Sequence, residues 1–255
     1  MAKKEPGYLF SSMDGENLNK YSNYNKTQAL RVPAGAATFI QWKRRYFRQN
    51  FLRHLTRDSA GRILDVGCGF GVYVDEMRKS GYRNVEGVDV SEDQIEYART
   101  HFGLECVTCA DARHYLKKKE NTYDVIMAID VLEHLTFDEL IDLTRELHRS
   151  LKPGGRLVAQ APNGYALMNH IVYSDLTHTR AFTPESFEQL FLLSGFTKPP
   201  SFFEAFPPQD DAIGMTKKLL WKLAFRPLLS LYSLVAAGNA TRRIFSHNMI
   251  AVVEK

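Results

Sequence analysis

The chain has 255 residues, 44% of them hydrophobic and 24% charged, with a formal net charge of +4 and three cysteines. That length suits one sizeable α/β domain with decoration, and the composition excludes a disordered or collagen-like chain. The mild charge falls short of the dense basic patch of a nucleic-acid binder, so no nucleic-acid partner is expected.

Cys106 and Cys109 form a lone CxxC without the second pair that a zinc site needs, and three cysteines make no disulfide framework. The first residues lack the apolar core of a secretory signal, which predicts a cytoplasmic protein.

In chain order, residues 1–58 read as an N-terminal arm followed by an amphipathic helix. Residues 1–30 are rich in Asn, Lys, Ser and Tyr. Tyr8, Phe10, Tyr21 and Tyr24 are costly to leave in water, so the arm is expected to close as a lid. Phe39, Trp42, Tyr46, Phe47, Phe51 and Leu55 recur at helical spacing. Lys43, Arg44, Arg45, Arg48 and Arg53 occupy the opposite face, which is read as solvated and able to attract a phosphate or an acidic sugar.

Residues 59–206 alternate strand-like and helical patterns. Strands are predicted at Ile63–Val66, Val85–Asp89, Leu104–Val107, Tyr123–Ile129 and Arg156–Ala161, with helices near Val72–Ser80, Glu92–Phe102 and Phe137–Leu151. Such alternation predicts a doubly wound parallel sheet with helices on both faces and a ligand crevice at the carboxyl ends of the strands. Thr183-Pro184-Glu185-Ser186 marks a further helix start, with Ser186 in the usual acidic position of the capping box, and Gly195 marks its end. Strands at Phe196–Phe206 and Met249–Val253 complete seven. Between them, residues 207–246 form a helical insertion, and residues 247–255 return to the core. Within the insertion, Leu219–Gly238 is apolar but interrupted by Lys222, Arg226 and Pro227. It is read as one or two amphipathic helices, packed on the domain or touching a membrane surface through their basic end.

The sharpest motif is Leu64-Asp65-Val66-Gly67-Cys68-Gly69-Phe70-Gly71. A buried strand enters a turn whose alternate glycines allow close approach of a ligand, and the following helix offers free N–H groups. The spacing is GxGxG rather than the GxGxxG of dinucleotide sites. Asp65 suits a ligand bearing an ammonium group, and Asp89, at the end of the next strand, suits a ribose diol.

Together with Cys109-Ala110-Asp111-Ala112, Asp130-Val131-Leu132-Glu133-His134 and Leu151-Lys152-Pro153-Gly154-Gly155, these residues resemble class I S-adenosylmethionine (SAM)-dependent methyltransferases. The resemblance runs from about residue 60 to 163 and implies a Rossmann-like, mostly parallel seven-stranded sheet. It implies SAM as cofactor, with the Gly67, Gly69 and Gly71 loop around its methionine part and Asp65 at the ammonium. Asp89 and Val90 would lie at the ribose, Asp111 and Ala112 at the adenine, and Asp130 beside the transferred methyl.

Methyl transfer to a hydroxyl profits from a general base, and histidine has the right acidity. His178, in the polar loop Asp175–Thr183, is favoured as base or orienting group. His134 is the alternative, with a packing role for both left open. Asp130 and Asn163 partly echo the magnesium site of catechol-type methyltransferases, but without a full ligand set no metal is expected. The Asp/Asn-Pro-Pro-aromatic and Pro-Cys signatures of nucleobase methylases are absent after the fourth strand. The His178-x-x-x-Phe-Thr-Pro-Glu-Ser run and the insertion resemble a bacterial subgroup tied to surface polysaccharide and glycolipid assembly. That resemblance implies O-methylation of a sugar hydroxyl, on a nucleotide- or lipid-linked glycan, at the inner face of the membrane. The alternatives are O-methylation of a small metabolite, such as a quinone precursor or polyketide, and a non-catalytic SAM-binding accessory protein.

Overall fold

A computed structural model describes residues 36–168, 170–237 and 244–255. The expected lid with Tyr8, Phe10, Tyr21 and Tyr24 lies outside the described residues, as does 238–243 of the insertion.

The elements run α1 (Ala36–Asn50), β1 (Arg62–Val66), α2 (Val72–Lys79), β2 (Asn84–Asp89), α3 (Glu92–Phe102), β3 (Val107–Cys109), α4 (Ala112–Leu116), β4 (Tyr123–Ile129), α5 (Phe137–Ser150), β5 (Leu151–Pro162), α6 (His170–Tyr173), α7 (Pro184–Leu193), β6 (Ser201–Ala205), α8 (Ala212–Leu220), α9 (Arg226–Ala237) and β7 (Asn248–Glu254). Short 3-10 turns at Leu52–His54 and Leu132–His134 and a π-helical turn at Trp221–Phe225 join them.

The seven strands lie in the order β3-β2-β1-β4-β5-β7-β6, and β7 runs antiparallel to both of its neighbours. This is the expected mostly parallel, doubly wound sheet. Burial on both faces explains the near-continuous apolar runs of its central strands. In β4, Val125, Met127 and Ile129 face a core shared with Phe47, Phe51 and Val74 of the α1/α2 layer. Ile126 and Ala128 face the opposite core with Leu140, Leu147 and Phe187 of the α5/α7 layer. The chain turns one way from β1 and the other way from β4, so the crevice opens at the carboxyl ends of these two adjacent strands.

The Thr183 cap forms as predicted: its hydroxyl accepts from the Ser186 amide, and the Ser186 hydroxyl lies 2.8 Å from the Thr183 amide. Three expectations shift. The third strand begins at Val107 instead of Leu104, because Leu104 packs under Gly71 at the end of α3 while residues 107–109 pair with Gly87–Asp89. The basic stripe of α1 is not a solvated anion site. Arg44 and Arg48 pair with the buried Glu76, Arg44 also pairs with Asp75, and Arg45 pairs with Asp210 and Asp211. Finally, Pro227 does not break the insertion helix. The wider π turn just before it absorbs the missing amide donor, and Ala212–Ala236 runs on as one helical rod.

Phe182, Phe187 and Phe191 stack in sequence, with centroids 4.4 and 5.4 Å apart, and fix α7 to the sheet. Phe187→Ala should therefore cost about 3–5 kcal/mol of unfolding free energy in urea denaturation. A loss under 1 kcal/mol would mean that this layer is not part of the cooperative core.

Candidate functional site

A cleft of about 770 Å³ opens where the topology puts it, lined by the turn after β1, the end of β2, the start of α4, the turn after β4 and the 171–178 loop, with α1 as one wall. All the predicted site residues line it except Asp65, which is buried within β1, and the helix-entry Gly71. Gly67 and Gly71 take φ of +71° and +74°, in the left-handed region open to glycine. A β-carbon on Gly67 would overlap the Val131 side chain, so the β1 and β4 turns touch only because glycine stands there.

Four carboxylates converge. Asp65 is buried in β1, and its Oδ2 has no hydrogen-bond partner. Burial pushes its carboxyl up to about 7; the positive Lys43 opposes that rise and the negative Asp89 adds to it. Asp89 accepts from the Gly69 and Ser91 amides at 2.9 Å each, so the carboxylate and the glycine turn brace one another. Burial still holds its carboxyl above the usual range despite these amides. Asp111 caps α4, and the Arg113 guanidinium at 2.7 Å lowers its carboxyl. Asp130 sits at φ +56° and lines the cleft, where its surface is open. It accepts from the Gln160 amide at 2.8 Å, and Gln160 in turn accepts from the Tyr46 hydroxyl at 2.7 Å, which ties α1 to the site. Desolvation within the cleft raises the Asp130 carboxyl against the pull of Gln160, Lys43 and His178.

The two candidate histidines meet across different loops, their ring centroids 4.8 Å apart. His178 Nδ1 lies 3.1 Å from the Val172 carbonyl, which only accepts, so a neutral ring carries its proton there and presents Nε2 as the basic nitrogen. His134 Nδ1 lies 2.9 Å from the Thr177 hydroxyl, whose own proton points to Asp175 at 2.6 Å. His134 is accordingly fixed in the same tautomer by an Asp175–Thr177 relay. His134 is buried at the floor, whereas His178 is only half-buried in the wall.

Sequence reasoning missed three participants. Glu133 is buried with an unpartnered Oε2, its acidity suppressed by burial and by the negative Asp130. It joins His134 and His178 in a set whose ligand atoms lie within 4.8 Å of one another, a donor set able to hold a divalent cation. Asn163, the other residue weighed for a metal, serves structure instead: its amide donates to the carbonyls of Ile244 and Ser246. Lys43, assigned to a solvated stripe, turns into the cleft over the Tyr73 ring at 5.2 Å, and burial lowers its ammonium despite Asp130 and Asp65. The Asp175–Thr177 brace is the third. Helical spacing alone could have placed Lys43 beside the apolar face; nothing local reveals which loop His178 reaches.

Among known proteins, a family model described as a methyltransferase domain matches residues 39–198. A ubiquinone biosynthesis O-methyltransferase of Chelativorans sp. (strain BNC1) is 33% identical over 129 residues, 46% of this chain and 49% of that protein. The namesake from Pseudomonas aeruginosa (strain UCBPP-PA14) is 29% identical over 121 residues, 46% of this chain and 50% of that one. The matched part thus spans about half the length of these curated relatives. A SAM-dependent methyltransferase from Archaeoglobus fulgidus shares the fold with a TM-score of 0.65 at 22% identity, over 91% of this chain and all of that one.

The buried carboxyl of Asp65 makes a pH prediction. A carboxyl raised from 3.8 to about 7 on folding is protonated in the native state and ionised in the unfolded chain between those values. Native stability therefore falls as pH rises from about 4 to 7 and the penalty is complete above 7. Asp65→Asn should flatten this slope, gaining of the order of 2–4 kcal/mol over wild type at pH 7.5 relative to pH 4 in the ligand-free protein. Parallel melting-temperature profiles for the two proteins would exclude a buried, perturbed Asp65.

Proposed function

This chain belongs to the methyltransferase-domain family of class I SAM-dependent fold, and from that premise we propose that it O-methylates an aromatic hydroxyl of a small, largely apolar metabolite, of the kind met in quinone biosynthesis. The observation behind the cofactor assignment is the buried Asp65, with one oxygen unpartnered, on the strand that leads into a glycine turn braced by Asp89. A primary ammonium would satisfy Asp65 Oδ2, and a vicinal diol suits a carboxylate held at a strand end; SAM has both groups. Asp111, already held by Arg113 and the α4 amides, is left to the adenine side.

The acceptor assignment rests on the wall chemistry and on the relatives. Phe39, Ile40, Tyr73, Val131, Leu135 and Ile171 make the walls mainly apolar, a better match for an aromatic ring than for a hydrated sugar. The curated relatives are ubiquinone biosynthesis O-methyltransferases. Both considerations favour the small-metabolite reading over the glycan. The acidity of the acceptor points the same way, because a phenolic proton, near pKa 10, is within reach of a histidine base.

When bound, SAM supplies an electrophilic methyl on its sulfonium. His178 accepts the hydroxyl proton at Nε2 while its Nδ1–H stays on the Val172 carbonyl. Asp65, the glycine turn, Asp89 and Asp111 would hold SAM, and the lone pair that His178 frees on the acceptor oxygen would face the methyl it supplies. Asp130, opposite, steadies the imidazolium that results, and His134, locked by Thr177, shapes the floor. Holding the acceptor in line is worth roughly 7–11 kcal/mol in favourable cases, and the base a further ~10²–10⁴-fold.

Purified protein, methyl-labelled SAM and catechol-type quinone precursors test the reading, with sugar nucleotides as the competing acceptors. Label in the phenolic ether supports it; label only in sugars overturns it. His178→Ala should lower kcat by ~10²-fold or more with SAM affinity unchanged, and Asp89→Ala should abolish SAM binding in calorimetry. A full rate from His178→Ala would transfer the base role to His134.

A further inference from the structure

The helical rod Ala212–Ala236 is inside-out for a domain in water. Leu223, Phe225, Leu228, Leu231, Tyr232 and Val235 are each more than half exposed. Among the described residues, the one buried side chain of its second half is Ser233, with Leu229 and Ser230 half-buried beside it. Serines thus face the body while leucines face outward, the reverse of a surface helix packed on a core. A contiguous apolar face of this extent marks a binding surface.

Charge identifies what covers it. No acidic residue occurs between Asp211 and Glu254, whereas Lys217, Lys218, Lys222, Arg226, Arg242 and Arg243 all fall in that stretch. The charges are also segregated along the rod. Its first half, Ala212–Arg226, holds three lysines and an arginine, and the half from Pro227 to Ala237 holds no charge at all. The 12 residues of α9 span about 18 Å at 1.5 Å per residue, close to the ~15 Å hydrocarbon depth of one leaflet. Trp221 opens the π turn within the basic half, between Lys218 and Lys222, in the headgroup region where interfacial tryptophan belongs.

We propose that this rod is a monotopic anchor for an anionic phospholipid bilayer, with α9 immersed in the near leaflet and the lysines of α8 among the headgroups. The core is fastened to the anchor at its basic end. Glu204 of β6 accepts from the Trp221 indole at 3.3 Å and faces Arg226 at 3.7 Å, and Asp210 and Asp211 pair with Arg45 of α1. Because α1 is also the wall that presents Lys43 to the cleft, membrane contact and cleft wall share one element. The inference stands on the rod alone and holds whichever acceptor is methylated.

Co-sedimentation of the whole protein with vesicles tests it, without reference to methyl transfer. The protein should pellet with phosphatidylcholine vesicles containing phosphatidylglycerol and more weakly with phosphatidylcholine alone. The triple variant Leu228→Glu, Leu231→Glu, Val235→Glu should stay in solution with both, at an unchanged melting temperature, since these side chains touch little of the core. The triple variant Lys217→Glu, Lys218→Glu, Lys222→Glu should bind anionic vesicles ~100-fold more weakly or worse, at about a factor of five per lysine, and neutral ones as wild type does. Wild type remaining in the supernatant with both vesicles overturns the proposal. So does undiminished pelleting of the leucine-face variant. A dimer that this variant converts to a monomer, with no vesicle binding by wild type, assigns the face to a second copy and equally overturns it.

Discussion

A carboxylate buried in a parallel strand, with one oxygen unpartnered, is a costly thing for a protein to keep, and the arrangement around Asp65 follows from it. An unsatisfied buried polar group costs about 1–3 kcal/mol, and a buried charge more, so burial shifts Asp65 toward its neutral form against the opposing pull of Lys43. A ligand with an ammonium group supplies what the fold withholds. A buried acceptor without a protein partner favours a ligand that brings a donor to it, so local cost and function coincide at Asp65. Asp89 repeats the device more mildly, spending part of its capacity on the Gly69 and Ser91 amides.

The sheet order makes this convergence possible. Because β1 and β4 are neighbours and the chain departs from them in opposite directions, the turns after both strands open into one crevice. One side holds Asp65, Asp89 and Asp111, and the other holds Asp130, Glu133 and His134. The 171–178 loop then closes over from beyond β5 and sets His178 against His134. Two hydrogen bonds to acceptors that cannot give a proton back, the Val172 carbonyl directly and Asp175 through Thr177, fix both tautomers before any substrate arrives. Such preorganisation is the fold's share of the chemistry; the reactivity comes with the cofactor.

Much of this was legible in the sequence, for identifiable reasons. Strand β4 was read to the residue because both of its faces are apolar and a polar turn ends it. The glycine turn and Asp89 were readable because backbone conformation and strand ends leave local marks. Strand β3 was misplaced by three residues because Leu104 is apolar for packing under α3, not for pairing. The α1 stripe misled because its arginines are neutralised by Asp75, Glu76, Asp210 and Asp211, residues distant in the chain. Glu133, Lys43 and the Thr177 brace acquire meaning only when three elements are assembled, and no local period encodes that. Whether Pro227 divides the insertion into one helix or two depends on the π turn Trp221–Phe225 before it, which no local sequence signal announces.

The central claim, that Asp65 awaits a cationic group, is tested most directly by the protons exchanged on cofactor binding. S-adenosylhomocysteine keeps the ammonium and lacks the reactive methyl. Calorimetric titration at pH 6 in buffers of different ionisation enthalpy counts the protons released. An Asp65 carboxyl near 7 is mostly protonated in the free protein and ionises against the ammonium. Wild type should therefore release close to one proton per ligand, and Asp65→Asn should release none from this group while binding more weakly. Tight binding with no proton release from wild type, or the same release from the variant, would contradict the account.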